Sequence, residues 1–391
     1  MRLATGRIAV AALGLAAVAL LSACSALDKI NPFSSDAPKV KPNELTSIAP
    51  TAELALRWQA SAGAAGAFVF TPAVIGDSVY AAAADGTLSR FDQGRLVWRT
   101  SAAASLSAGV GSDGKVVAVA TPKGEVLAFA AQDGRPLWKA AASSEVLAAP
   151  AVGDGLVVIR SGDARLFAFE AESGKRRWVY QRSTPALSLR SHVGVVLAGR
   201  LVLAGFPGGK LVAVSSHNGV ALWEVTVAQP KGSTELERIT DLTSLPVIDG
   251  RDVCAVAYQG RIACFDMGNG SQVWSREISS IVGFDVDAKN VYVSDDKGNV
   301  HALERSSGAS LWKQDKLLAR GVSRPLIVGK HVAVGDYQGV VHLLRRDDGA
   351  FAARLPSDGS AIAADLQRSG AASADFLVQT KNGGLYALSA R

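Results

Sequence analysis

The chain has 391 residues, 48% hydrophobic and 19% charged, with 39 Gly, 14 Pro and three Cys. These values exclude a collagenous chain, a globally disordered chain and a disulfide-built scaffold. The net charge of +6 is mild for this length and gathers in no basic run, so nothing supports nucleic-acid binding.

The N-terminus reads as an address. Arg2 and Arg7 precede an uncharged apolar run from Ile8 to Leu21, shorter than the roughly 20 residues a membrane-spanning helix needs. Leu21-Ser22-Ala23-Cys24 follows, and this tetrapeptide resembles a bacterial lipobox. The resemblance implies a signal peptide over residues 1–23, cleavage before Cys24 and lipidation of that cysteine. Ser25 stands where an aspartate would resemble an inner-membrane retention signal, so the expected destination is the outer membrane, with the body in the periplasm. From residue 24 to about residue 50, Pro32, Pro38, Pro42 and Pro50 interrupt any helix or central strand, and the segment reads as a flexible tether.

Beyond the tether, seven tryptophans mark a repeat: Trp58, Trp98, Trp138, Trp178, Trp223, Trp274 and Trp312, most of them about 40 residues apart. From Trp98 onward each stands four residues after a glycine, the first pair being Gly94 and Trp98. A second turn signal lies upstream, at Gly86, Gly124, Gly209, Gly260, Gly298 and Gly339, with Ala164 in its place in the third repeat. Between these marks apolar residues alternate with period two, as in Leu166-Phe167-Ala168-Phe169. Each repeat therefore reads as four short antiparallel strands joined by Gly-rich hairpins. One such sheet cannot bury both faces, so the copies must stack around an axis as an all-β propeller.

Eight turn segments, the last at Gly383-Gly384, predict eight blades over residues 51–391. The seventh repeat carries Ala353 at the Trp position, and the eighth ends at Arg391 before any Trp. The strand around Trp58 is expected to complete the last blade and close the ring, which leaves no open edge between the termini. Seven Trp at one register read as packing wedges between blades in preference to an aromatic cofactor box.

Two spacings break the period. Five extra residues follow Trp178 and eleven follow Trp223. Both insertions lie between an outer strand and the next inner strand, so both should emerge on one face and form a contiguous patch suited to binding. The first contains Leu187, Leu189 and Arg190. The second runs Gly232 to Asp241, and Thr234 with Glu237 has capping-box spacing. Exposed Leu and Arg suit a binding anchor. The same residues also suit a structural role, with the leucines plugging a blade junction and Arg190 paired to Asp241.

Catalytic signals are poor. Cys254 and Cys264 are ten residues apart around the Gln259-Gly260 turn, where they form either a cross-strand disulfide or buried thiols. The five histidines lack ligand spacing, and His301 and His342 occupy corresponding repeat positions. No metal site, cofactor or enzymatic activity is expected.

The G-x-x-x-W repeat with its G-x-L-x-A segment resembles the pyrroloquinoline-quinone type of eight-bladed propeller. Within that group, the lipobox, the Pro-rich tether and the two insertions resemble the BamB family of lipoproteins of the outer-membrane β-barrel assembly machine. That resemblance implies a non-catalytic scaffold that binds the periplasmic POTRA domains of BamA, through Leu187, Leu189, Arg190 and Asp241. It also implies association with the machine's other lipoproteins and with unfolded outer-membrane protein clients. Thr243 departs from the family pattern, where a second acidic residue is expected. The alternative is a periplasmic quinone-dependent dehydrogenase or a degenerate relative of one, which would need an aromatic, cation-binding central pocket.

Overall fold

The computed structural model describes residues 40–370 and 374–391. The expected signal peptide, Cys24 and the tether as far as residue 39 lie outside the described residues. The described chain forms eight four-stranded antiparallel sheets. Blade 1 is built from Ala73–Ile75, Ser78–Ala82, Thr87–Asp92 and Arg95–Ser101, paired in that order from the axis to the rim. Blades 2 to 7 repeat the plan. Blade 8 takes three strands from the C-terminus, Gln367–Arg368, Asp375–Gln379 and Gly384–Ala390, and its outer strand from the N-terminus, Leu54–Ser61. Trp58 sits in that closing strand opposite Ala387. The ring is thus sealed by hydrogen bonds between the two ends of the chain.

The middle two strands of each blade carry the core. They are apolar on both faces because each lies between two neighbouring sheets, as in Val116–Ala120 and Leu201–Phe206. The outer strands alternate and are half exposed. In every blade the pairing of the last two strands contains a bulge. The residue just before the Trp position is skipped, as Arg177 is between Ala168↔Trp178 and Phe169↔Arg176. The extra residue re-aims the side chain that follows it. The tryptophan is thereby turned toward the next blade.

That turn explains the G-x-x-x-W motif. Trp98 Nε1 donates to Ala131 O (3.0 Å) and Trp138 Nε1 to Ala171 O (2.7 Å), each acceptor lying in the following blade. The indole rests on a glycine of that blade: a Cβ on Gly174, whose φ is +70°, would lie 2.5 Å from the Trp138 ring. Each glycine of the motif therefore receives the tryptophan of the preceding repeat. Trp58 completes the circle by covering Gly94 of blade 1. At Ala353 no such hairpin faces the position, because the last two strands of blade 8 come from opposite ends of the chain. Thr51 N and Ala52 N bond Ala352 O instead (2.9 and 3.2 Å), and Glu53 pairs with Arg391. A tryptophan at that position would have no glycine to cover.

The Pro-rich stretch differs from the expected tether in its last part. From Asn43 the backbone is bonded to the propeller, Asn43 N donating to Leu318 O (3.1 Å), and Leu45 packs on the core between blades 6 and 7. Composition marks residues that form no regular element, but it does not report whether they are held by other parts of the chain.

Candidate functional site

The connection from blade 3 to blade 4 spans residues 182–194, and the connection from blade 4 to blade 5 spans residues 227–246. Both emerge on the face that also carries the hairpin turns between second and third strands. The structure brings the two connections together through Asp241. Its carboxylate accepts hydrogen bonds from Leu189 N (2.6 Å) and from Gly208 N (3.1 Å), and its own carbonyl accepts from Tyr258 N (2.9 Å). One residue thus joins the first insertion and the turn of blade 4 through its side chain, and the turn of blade 5 through its carbonyl.

Asp241 is buried, at 3% exposure. Burial raises its pKa above the ordinary aspartate value, and the two amide donors and Arg160 act in the opposite direction. Arg160 lies in the second strand of blade 3, and burial brings its guanidinium down to about 10. The ring of Phe206 lies under the guanidinium groups of Arg160 and Arg182, 5.7 and 5.6 Å from its centroid. The Phe206 ring therefore ties Arg182, at the start of the first insertion, to Arg160 of blade 3.

The exposed part is small. Leu187 is 44% exposed, Leu189 is half-buried and Arg190 is exposed. Arg190 does not pair with Asp241. It makes a bidentate contact with Glu145, in the connection from blade 2 to blade 3 (3.0 and 2.7 Å), and this contact holds the Glu145 carboxyl below its ordinary value. Spacing missed Glu145 because it stands 45 residues away in a connection of ordinary length. Thr243 is buried and donates to Ile281 O (2.8 Å) in the next connection. A carboxylate cannot make that bond, which is a physical reason for a hydroxyl there.

The second insertion holds its expected turn. Glu237 Oε2 accepts from Ser233 N and Thr234 N (2.8 and 3.1 Å), while Glu237 N donates to Thr234 Oγ1 (3.2 Å). This reciprocal cap presents Leu236 at 68% exposure. Ile281, in the connection from blade 5 to blade 6, is 45% exposed. Neither stood out in the sequence, where an isolated apolar residue in a loop carries no pattern. Cys254 and Cys264 face each other across the second and third strands of blade 5 and are joined by a disulfide.

A cavity of about 780 Å³ opens at the propeller axis, and Leu189, Arg190 and His192 contribute to its wall. The rest of the wall is mainly small and aliphatic, with residues such as Thr71, Val110 and Ala149, and Tyr258 is the one aromatic ring of Phe, Tyr or Trp type among its described residues. No group of three His, Cys, Asp or Glu side chains among the described residues is placed to hold a metal ion. The walls lack the stacked aromatic rings that a flat quinone cofactor would need, so the residues present do not fit that group.

A family model described as outer membrane protein assembly factor BamB matches residues 84–314. The outer membrane protein assembly factor BamB of Bordetella pertussis is 46% identical over 94% of this chain and 95% of its own length. The crystal structure of BamB from Moraxella catarrhalis superposes with a TM-score of 0.80 at 26% identity, covering 86% of this chain and all of that one. A quinohemoprotein alcohol dehydrogenase from Comamonas testosteroni shares the fold, with a TM-score of 0.71 at 12% identity over 86% of this chain and 76% of its own. At that identity the likeness concerns architecture alone.

Proposed function

The chain belongs to the BamB family, and we propose that it is a non-catalytic scaffold of the outer-membrane β-barrel assembly machinery. In this reading it is anchored to the outer membrane by lipid on Cys24 and docks on the POTRA domains of BamA. The observation that carries the docking surface is the joint held by Asp241: two enlarged connections are locked together, and the lock leaves Leu187, Leu189 and Arg190 at the surface. A rigid apolar centre with a charged edge is the anatomy of a specific protein interface. Asp241 acts in it as a positioning residue, since its carboxylate is buried against main-chain amides. The relatives are named for assembly and not for an enzymatic activity, which supports the scaffold over a dehydrogenase. Other lipoproteins of the machinery and unfolded outer-membrane clients belong to the same reading.

The test is a binding titration of the BamA periplasmic region against the purified propeller. Leu187→Ala should weaken binding with unchanged melting temperature, and Arg190→Ala should weaken it with no more than the small stability loss of its pair with Glu145. Wild-type affinity in both variants would remove this surface from the interface.

A further inference from the structure

Residues 43–52 belong to no blade, yet two arginines from blade 7 and its approach hold them. Arg320 lies in the connection from blade 6 to blade 7, and Arg354 lies in the outer strand Phe351–Pro356. Arg320 Nη1 donates to Asn43 O (2.9 Å), and Arg354 Nη1 donates to Thr46 O. Behind them is a fully buried pair, Asp336 and His342. Asp336 accepts from Arg320 Nε (2.8 Å), from His342 Nε2 (3.1 Å) and from the amides of Gln338 and Val340 (2.9 and 3.0 Å). With Nε2 donating to the carboxylate, Nδ1 of the neutral ring is the acceptor for Arg354 Nε (3.2 Å). One imidazole thus sets the position of the arginine that holds the N-terminal segment.

Blade 6 provides an internal comparison. His301 stands at the position of His342 and bonds Asp295 in the same way (2.9 Å). The residue across the sheet from His301 is Lys313, where blade 7 has Arg354. The carboxylate–histidine pair is part of the repeat. The arginines added to it occur where the N-terminal segment crosses.

We propose that Arg320, Asp336, His342 and Arg354 form an acid-released clip for residues 43–50. A proton on Nδ1 of His342 removes the acceptor of Arg354 and sets a third cation beside Arg320 and Arg354, with the Asp336 carboxylate bonded to Arg320 and to the ring. Arg354 must then turn away, and its bond to Thr46 O is lost with it. The buried ring resists that proton at neutral pH: burial first, and then Arg354 and Arg320, hold His342 below its ordinary value, against the pull of Asp336. Once the segment lifts, Arg354 is free to leave the ring, a cation that holds its proton affinity down is removed, and proton uptake favours the open state as pH falls below the ordinary value of 6.5. Residues 43–50, ahead of the amides of Thr51 to Glu53 that stay bonded to Ala352 and Arg391, are then free and add roughly 27 Å of reach to whatever precedes Asn43. This inference does not depend on the docking surface.

Hydrogen exchange of the full chain, corrected for intrinsic rates, tests it at pH 7.5 and pH 5.0. In the wild type, residues 43–49 should lose protection at pH 5.0 by about tenfold or more while the blades and the amides of Thr51 to Glu53 keep theirs. His342→Gln can donate to Asp336 and accept from Arg354 without titrating, so the segment should stay protected at both pH values. Arg354→Met should leave it unprotected at both. Equal protection at the two pH values in the wild type, or an unchanged pH response in His342→Gln, overturns the proposal. Opening of all blades together at pH 5.0 overturns it as well. If His342→Gln does not fold, the wild-type profile and Arg354→Met decide, and full protection of the segment in Arg354→Met refutes the clip.

Discussion

The seams between blades and the face formed by the connections of blades 3 to 5 use the same strands for opposite ends. At a seam, the repeat supplies the partners of the tryptophan: its indole N–H meets a carbonyl of the next blade and the ring covers a glycine. On the connection face, the repeat supplies main-chain bonds such as Gly162 N to Glu145 O and Tyr258 N to Asp241 O, and single side chains such as those of Asp241 and Arg190 add contacts that the repeat does not provide. Repetition spreads stability over many equivalent contacts. The non-repeated face concentrates its order in a few bonds and leaves Leu187 and Leu236 facing water. Changes at a seam should therefore act on stability, and changes on the face should act on binding.

The largest separation should come from truncation. Removal of residues 25–59 takes away the closing strand and uncovers the edge at Gly384–Ala390, so the propeller should lose cooperative unfolding in a thermal melt. Removal of residues 25–41 should leave the melt unchanged. Equal melting of the two truncations would refute closure by the N-terminal strand.

Next is the seam itself. Trp138→Ala removes a ring and a hydrogen bond from the contact with blade 3, at a cost of about 3 kcal/mol in denaturant unfolding. Gly174→Ala, on the other side of the same contact, should cost about 1–3 kcal/mol, since its Cβ would meet the ring and its φ is positive. Per folded molecule, partner binding should not change in either variant. A binding loss larger than the stability loss would mean that seam and face are not separable.

Asp241→Ala lies between the two regions. Two amides lose their acceptor, so stability should fall by about 1–3 kcal/mol and binding should fall with it, because the first insertion is no longer held. Leu187→Ala should leave stability within about 0.5 kcal/mol and weaken BamA binding by about 1–3 kcal/mol. If Leu187→Ala melts early, the leucine belongs to the blade junction.

The smallest effect concerns pH. The Glu145 carboxyl is held below its ordinary value by Arg190, so the contribution of this pair is present above about pH 4.5 and is lost as pH falls through the lowered value. Water screens this exposed pair to less than about 1 kcal/mol. Glu145→Gln should be slightly less stable than the wild type at pH 7, and the two should converge in acid. Parallel stability curves from pH 7 to pH 3 would show that the pair contributes nothing.

Much of this architecture was legible in the residues alone. Blade number, strand order, the closing role of the Trp58 strand and the two enlarged connections follow from spacing, because hairpin turns, alternation and bulges are local and recur with the repeat. The reason for the glycine before each tryptophan was not legible: its partner is the previous tryptophan, in another blade. The pairing of Arg190 was equally hidden, since Glu145 and Asp241 are both carboxylates in neighbouring connections and only the fold puts one of them at 2.7 Å. The stretch from Asn43 to Pro50 reads as tether because proline and polar residues lack periodicity, yet Arg320 and Arg354 tie it to the propeller.

The amino-acid sequence by itself determined an eight-bladed propeller closed by its own N-terminal strand, because periodic local signals accumulate over eight copies until no other arrangement buries them. Only the tertiary structure decided which charged groups are buried and which are presented. Asp241 at the surface would have been a docking charge, and Asp241 against two amides is the joint that positions one. That distinction depends on solvent access and on partners 33 and 52 residues away, quantities that no spacing along the chain encodes.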